Sequence, residues 1–536
     1  MNSINRRSVL LAGLGVAGAG ALAACSSGSS TTPALVNPSG STVAAAEKKR
    51  KGTGRTQQVT LTAAPAMLDL GGGVMARSWA FSGQAPGKEI RLSAGDTLAA
   101  ELSNQLPNKT STSVHWHGIA MRNDMDGVPP VTQQAVRAGT NFTYRFVADA
   151  PGTYFFHPHV GVQLDRALYA PLIVEDPKEP LSYDDEWVVV LDDWVDGVTG
   201  TPDEVLAELR QGMGGMDMGG HSSSSGHEGH DMGDMGGMDM GEDSSSPSAS
   251  TSSGGMSMRF MLMGAESELL GGDAGDVKYP YHLVNGRVPA APDIYEDKPG
   301  KRIRLRIINA GGDTAYRVAL AGHKLTITHT DGFPVEHQQV DALLIGMGER
   351  YDVLVTLGDG VFPLVALAEG KNATGMALVR TASGSAPKPT VRPKELNGRI
   401  LTASELRAAA DVRLSPKKVD RVHRVELTGG MDKYNWAING KAFDMHDPAA
   451  SPLTIEEGQR VRLDFVNTTE MWHPMHLHGH TYQLGDSGPR KDTSIVLPKK
   501  KLSVIFDADN PGQWMLHCHN AYHGEVGMMA VVAYQS

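Results

Sequence analysis

The sequence is poor in the features that mark disulfide scaffolds, membrane spans and nucleic-acid binders. It has only two cysteines, Cys25 and Cys518, in 536 residues. Their positions give them separate jobs, so no disulfide is expected. Basic residues are in deficit: 49 Lys and Arg stand against 60 Asp and Glu, for a net charge of −11. That balance argues against nucleic acid as a partner and suits a soluble protein that handles cations. Long apolar runs are missing too, since the stretch from Val9 to Ala24 is short for a transmembrane helix. What is there is globular in texture, 40% hydrophobic with 62 Gly and 30 Pro. Short apolar runs among so many Gly and Pro favour an all-β fold. The length suggests about three domains.

Residues 1–25 read as a targeting segment and not as part of the fold. Arg6 and Arg7 precede the apolar stretch, which ends in LAAC. Twin arginines before a modest apolar region resemble a twin-arginine export signal. LAAC resembles a lipobox, which would make Cys25 the lipidated first residue of the mature chain. The expected location is therefore the periplasm or the outer face of the membrane, held there only by that anchor. The alternative is an ordinary signal peptide that contains a cysteine. Residues 26–55 are rich in Ser, Thr, Gly and Pro, then basic in KKRK (48–51), and read as a flexible tether.

From Gln57 the chain repeats itself. KEIRLSAGDTLAAELSNQL (88–106) is echoed by GKRIRLRIINAG (300–311) and EEGQRVRLDFVNTT (456–469), each run ending near an Asn. HLVNGR (282–287), WAINGK (436–441) and the looser AFSGQAPG (80–87) lie upstream. Strands joined at Asn-Gly or a Gly-rich turn read as hairpins. The first and third units also end alike, GTYFFHPH (152–159) against GQWMLHCH (512–519). Three related sandwich domains follow, at about 56–179, 184–382 and 398–536, with a Pro/Lys/Ser-rich linker near 383–397. Residues 211–263 break the pattern. They hold eleven of the 25 methionines among Gly, Ser, His and Asp, with no period that could bury a core, and read as a mobile insertion.

Four histidine motifs stand out: HWHG (115–118), HPH (157–159), HPMHLHGH (473–480) and HCHNAYHGEVGM (517–528). On a strand, His517 and His519 face one way and Cys518 the other. The last motif can thus hold a metal on each face. Cys with two imidazoles and a weak methionine is a blue-copper ligand set. Cys518, His523 and Met528 are local, so one imidazole must come from elsewhere. A lone HxH pair is usually structural, but four in one chain are not explained that way. His282, His323, His329, His337, His423, His446 and His480 fit no ligand spacing and read as structural or surface residues.

With all four motifs present in order, the chain resembles a three-domain multicopper oxidase of the bacterial laccase and copper-resistance cuprous oxidase type. The likeness runs from about residue 56 to the end, outside the Met-rich insertion. It implies three cupredoxin-like Greek-key β-sandwich domains and four copper ions. Type 1 copper would take His473, Cys518, His523 and axial Met528. Type 2 copper would take His115 and His476. The type 3 pair would take His117, His157 and His519, and His159, His478 and His517. The cluster would lie between the first and third domains, reducing O2 to water with electrons passed from Cys518 to its flanking histidines. An axial methionine implies a lower type 1 potential than in relatives lacking one.

The resemblance also suggests acids for proton supply. Asp126, nine residues after His117, matches the family's acidic position near the cluster. A second acid commonly follows the last type 1 histidine, but here Gly524 stands there and Glu525 comes one residue later. Glu470 precedes His473, where a carboxylate could hold a cation or simply be solvated. Methionine thioethers select Cu(I), so the insertion favours Cu(I) as substrate, handled by a monomer. A small aromatic reductant is the second reading. A copper-sequestering lipoprotein without enzymatic activity is the third, disfavoured because no ligand is missing.

Overall fold

The computed structural model describes residues 34–213 and 258–536. The export and lipidation reading of residues 1–25 lies outside the described residues, as does the core of the insertion, 214–257. No helix among the described residues is long and apolar enough to cross a membrane.

Six large sheets and one short hairpin build three sandwiches. In each, the first long strand runs parallel to the strand of the sequence repeat. Thr56–Gly71 pairs with Asp96–Asn104, Asp185–Trp194 with Arg302–Asn309, and Arg421–Thr428 with Arg460–Asn467. The hairpin expectation is therefore corrected. Asn285 and Asn439 do make tight turns with positive φ of 50° and 53°. However, Tyr281–Val284 and Ala437–Ile438 pair with the strand that precedes them, not with the repeat strand that follows. The repeat strands carry buried apolar rows such as Ile303, Leu305 and Ile307. A position flanked on both sides satisfies their backbone, which an edge position would not.

The Asn that ends each repeat has one structural job performed three times. Asn104 donates to the carbonyls of Thr110 and Val136, Asn309 to those of Thr314 and Ile345, and Asn467 to those of Met471 and Val496. Each side-chain oxygen accepts from the backbone N–H two residues on. An unsatisfied buried polar group costs about 1–3 kcal/mol. Asn309→Ala, in the sandwich without HxH motifs, is expected to lose at least that much stability without changing copper content. An unchanged unfolding midpoint would remove the clamp from the account.

Three boundaries differ from the sequence reading. The tether is packed from Leu35 onward: Leu35 bridges Gln535, Ser41–Lys49 is a helix, and Val36 and Val43 join the core of the third sandwich. These two valines supply apolar surface that a free segment would leave in water. Arg50 then ties Asp149 of the first sandwich to Asn510 of the third. Next, Ile400–Leu401 completes a sheet of the middle sandwich, and Leu401 and Leu406 fill its core, so that unit extends past 398. Finally, 258–263 belongs to the fold. Phe260 and Met261 are buried, and the Glu208 carboxylate accepts from the backbone of Arg259, Phe260 and Met261.

Candidate metal centres

Strand register assembles the histidines. In the first sandwich His115–His117 pairs with Gly152–His157, setting His115 opposite His157. In the third, His473–Leu477 pairs with Gln513–Cys518, setting His476 opposite His517 and Met475 opposite Cys518. The two sandwiches face each other across these strands. Ring centroids of His115 and His478 come within 3.7 Å, and those of His117 and His476 within 3.8 Å.

Ligand atoms gather in five groups, each within 4.8 Å: His115, His117, His476; His117, His157, His519; His159, His478, His517; His115, Asp126, His478; and His473, Cys518, His523. In the last, Cys518 Sγ lies 3.7 Å from His473 Nδ1 and 3.6 Å from His523 Nδ1, which are 3.1 Å apart. Met528 is fully buried in the same core, and its backbone bonds those of Cys518 and His523. Met529 packs instead with Val128, Val131 and Met515. Alternation thus separates His517 and His519 from Cys518, as a strand requires.

Hydrogen bonds fix the rings. The Nδ1–H groups of His115, His157, His476 and His517 donate to the carbonyls of Asp126, Pro158, Asp492 and Cys518 at 2.9–3.0 Å. His478 Nδ1 donates to the Asp126 carboxylate at 3.0 Å. Each of these rings, when neutral, presents a bare Nε2 lone pair. Yet His115 and His476 point those nitrogens at each other across 3.4 Å, and His478 and His517 across 3.1 Å. No proton lies between them to make a hydrogen bond. His117 Nδ1 and His159 Nε2 are buried with no partner at all. Facing lone pairs and orphaned ring nitrogens fit shared cations and do not fit a purely structural cluster.

The electrostatics agree. Burial first, and neighbouring imidazoles second, push His157, His478, His517 and His519 well below the ordinary histidine value, and push His159 to about 3. These five rings are therefore neutral and ready to ligate. His523 differs. Burial would depress it, but the Asp276 carboxylate and Cys518 outweigh that and hold it at about 10.

The acids fall in three places. Asp126 is fully buried between His478 and His115, 3.0 and 3.2 Å away. Glu525 lies half-buried in a short helix, Ala521–Val526, beside a cleft that reaches His159 and His517. Glu470 is exposed and paired with Lys499 at 2.6 Å, which is the solvated-loop outcome.

Two acids escaped the sequence reading. Asp492 lies 3.2 Å from His117 Nε2 and is held by both Arg350 guanidinium nitrogens at 2.7 Å. Asp276 accepts from His523 Nε2 at 2.9 Å and from Tyr434 at 2.6 Å. Asp276 and Arg350 come from the middle sandwich, and neither sits at a recognisable spacing from a ligand. The one available signal was KDT (491–493), a charged pair inside an apolar strand context.

Three β-sandwiches with a His-Cys-His site beside a histidine cluster define a copper oxidase of the blue-copper plus trinuclear class. Family profiles described as multicopper oxidase match residues 63–179, 258–384 and 417–536. The chain belongs to the multicopper oxidase family, O2-reducing oxidoreductases with type 1, type 2 and type 3 copper as cofactors. It is 46% identical to multicopper oxidase MmcO of Mycobacterium tuberculosis, over 97% of this chain and 95% of that protein. It is 29% identical to a copper resistance protein A homolog of Pseudomonas syringae pv. tomato, over 84% and 88%. The laccase of Botrytis aclada shares the fold, with a TM-score of 0.68 at 23% identity over 90% and 88% of the two chains.

Proposed function

We propose that this oxidase is a cuprous oxidase serving copper tolerance outside the cytoplasm. The observation that carries it is the density of methionine at 211–263, eleven of 25, in a chain whose copper sites are otherwise complete. A segment under no demand but flexibility would be Gly and Ser without the sulfur. The named likeness to copper resistance protein A supports the same reading. The LAAC segment with its twin arginines supports export and a lipid anchor at Cys25, in a protein acting as a monomer.

Residue by residue, His473, Cys518 and His523 with Met528 hold type 1 copper. His115 and His476 hold type 2. His117, His157 and His519 hold one type 3 ion, and His159, His478 and His517 the other. Bound copper supplies one-electron oxidation at the cysteine site and reduction of O2 at the cluster. The protein supplies the rest. One peptide link on either side joins Cys518 to His517 and His519, so neighbouring residues about 3.3 Å apart form a continuous path. Thr469 Oγ1, 2.9 Å from His473 Nε2, and Asp276 orient the two type 1 rings. Asp126 fixes the His478 tautomer. Burial pushes the Glu525 carboxyl up, so it keeps a proton to higher pH than a free glutamate and can serve where Gly524 supplies no acid.

Oxygen uptake by the copper-loaded protein tests the reading, with Cu(I) and with a phenol, for the full chain and for a variant lacking 214–257. Cu(I) should be the faster substrate, and deletion should lower kcat/KM for Cu(I) several-fold while sparing the phenol. A faster phenol, or Cu(I) turnover indifferent to the deletion, would favour the laccase reading.

A further inference from the structure

The cluster imidazoles are buried, yet metal must reach them, and a buried metal site needs an entry path. A narrow cleft of about 40 Å³ runs in to His159 and His517. Three methionines line it with graded exposure. Met445 is 48% exposed, Met529 half-buried and Met515 only 1% exposed. Among the described residues, large apolar side chains as exposed as Met445 are few, and most of them are methionines. Leucine would serve a core equally well, whereas a thioether is also a soft ligand that selects Cu(I). Glu525 adds a carboxylate to the same wall.

Gly524 keeps the inner end open. A Cβ there would meet the Cys518 carbonyl at 3.1 Å, Met529 Cε at 3.7 Å and His517 Nδ1 at 3.9 Å. The residue lies in the helix Ala521–Val526, whose backbone does not demand glycine. The missing side chain therefore makes room at the place where the cleft meets a cluster ring.

We propose that this cleft is the route by which Cu(I) enters and leaves the trinuclear cluster, with the thioethers of Met445, Met529 and Met515 as successive contacts. The inference rests on the ligand assignment above. No electron is transferred in the step: Cu(I) exchanges one thioether for the next and finally for the unpartnered Nε2 of His159, since His517 turns its protonated Nδ1 toward the cleft.

The test starts from holoenzyme reduced under argon and depleted of cluster copper with a Cu(I) chelator. Cu(I) is then returned, and samples are withdrawn, freed of unbound copper and oxidised with ferricyanide, which takes the type 1 electron without the cluster, to follow copper content, blue colour and the type 2 electron paramagnetic resonance signal. The Met445→Leu, Met529→Leu double variant keeps side-chain volume while removing sulfur. It should refill the cluster several-fold more slowly, because each lost thioether removes a soft contact for Cu(I). Its blue colour should return as in wild type, since neither methionine is a type 1 ligand, and its final copper content should match. Gly524→Leu should slow refilling by blocking the inner end. Unchanged refilling in the double variant would overturn the proposal. So would slowed O2 turnover with normal refilling, which would make the cleft an oxygen route. Final copper content and the cluster signal report the ligand assignment separately, since only the rate reports the route.

Discussion

Cys518→Ser will abolish the blue colour and bring turnover with any external reductant to background, while one copper ion per chain is lost. The reasoning is local. Cys518 Sγ stands 3.6–3.7 Å from both type 1 ring nitrogens, and only a thiolate gives that site a charged sulfur donor. Serine is nearly isosteric, so His517 and His519 keep their positions and the cluster keeps its copper. Elemental analysis, visible absorption and electron paramagnetic resonance distinguish this from a folding failure. Retained blue colour, or retained steady-state O2 uptake, would show that electrons do not enter through Cys518.

Arg350→Met is expected to act through packing and charge. Arg350 and Asp492 are both fully buried and paired through two 2.7 Å bonds. Arg350 also donates to the Thr153 carbonyl, so one side chain joins all three sandwiches. Removing one partner of a buried ion pair leaves an uncompensated charge, at a cost of about 3–5 kcal/mol. Asp492 would then seek protons or water, and its contacts with His117 and His476 would loosen. The expected result is a stability loss of that size and a weakened or altered type 2 signal. Adding Asp492→Asn removes the stranded charge and should recover part of the stability but not the ring positions. A wild-type unfolding midpoint and type 2 signal in Arg350→Met would mean that the middle sandwich has no part in shaping the cluster.

The fold and the histidine motifs were legible because both have short periods. Alternation along His517, Cys518 and His519 is a property of one strand. The repeated runs ending in Asn104, Asn309 and Asn467 announce three copies of one unit. The same local logic misread the turns. Asn285-Gly286 and Asn439-Gly440 do fold the chain tightly, but a turn does not decide which strand lies beside the next. That choice went to the pairing that covers both edges of a buried strand. The tether was misread for a related reason: Val36 and Val43 are too few to make a pattern, and their burial depends on a surface the third sandwich provides.

The sequence by itself determined the histidine motifs that could hold metal, the β class and the threefold repeat, since each follows from residue type and spacing within a few positions. Only the tertiary structure decided which imidazoles face one another, that Asp276 and Arg350 of the middle sandwich reach the two histidine centres, and that Glu470 stays in solvent. Those outcomes depend on how three sandwiches dock. Residues 350 and 492 meet because two folded surfaces meet, and no period in the chain encodes the distance between them.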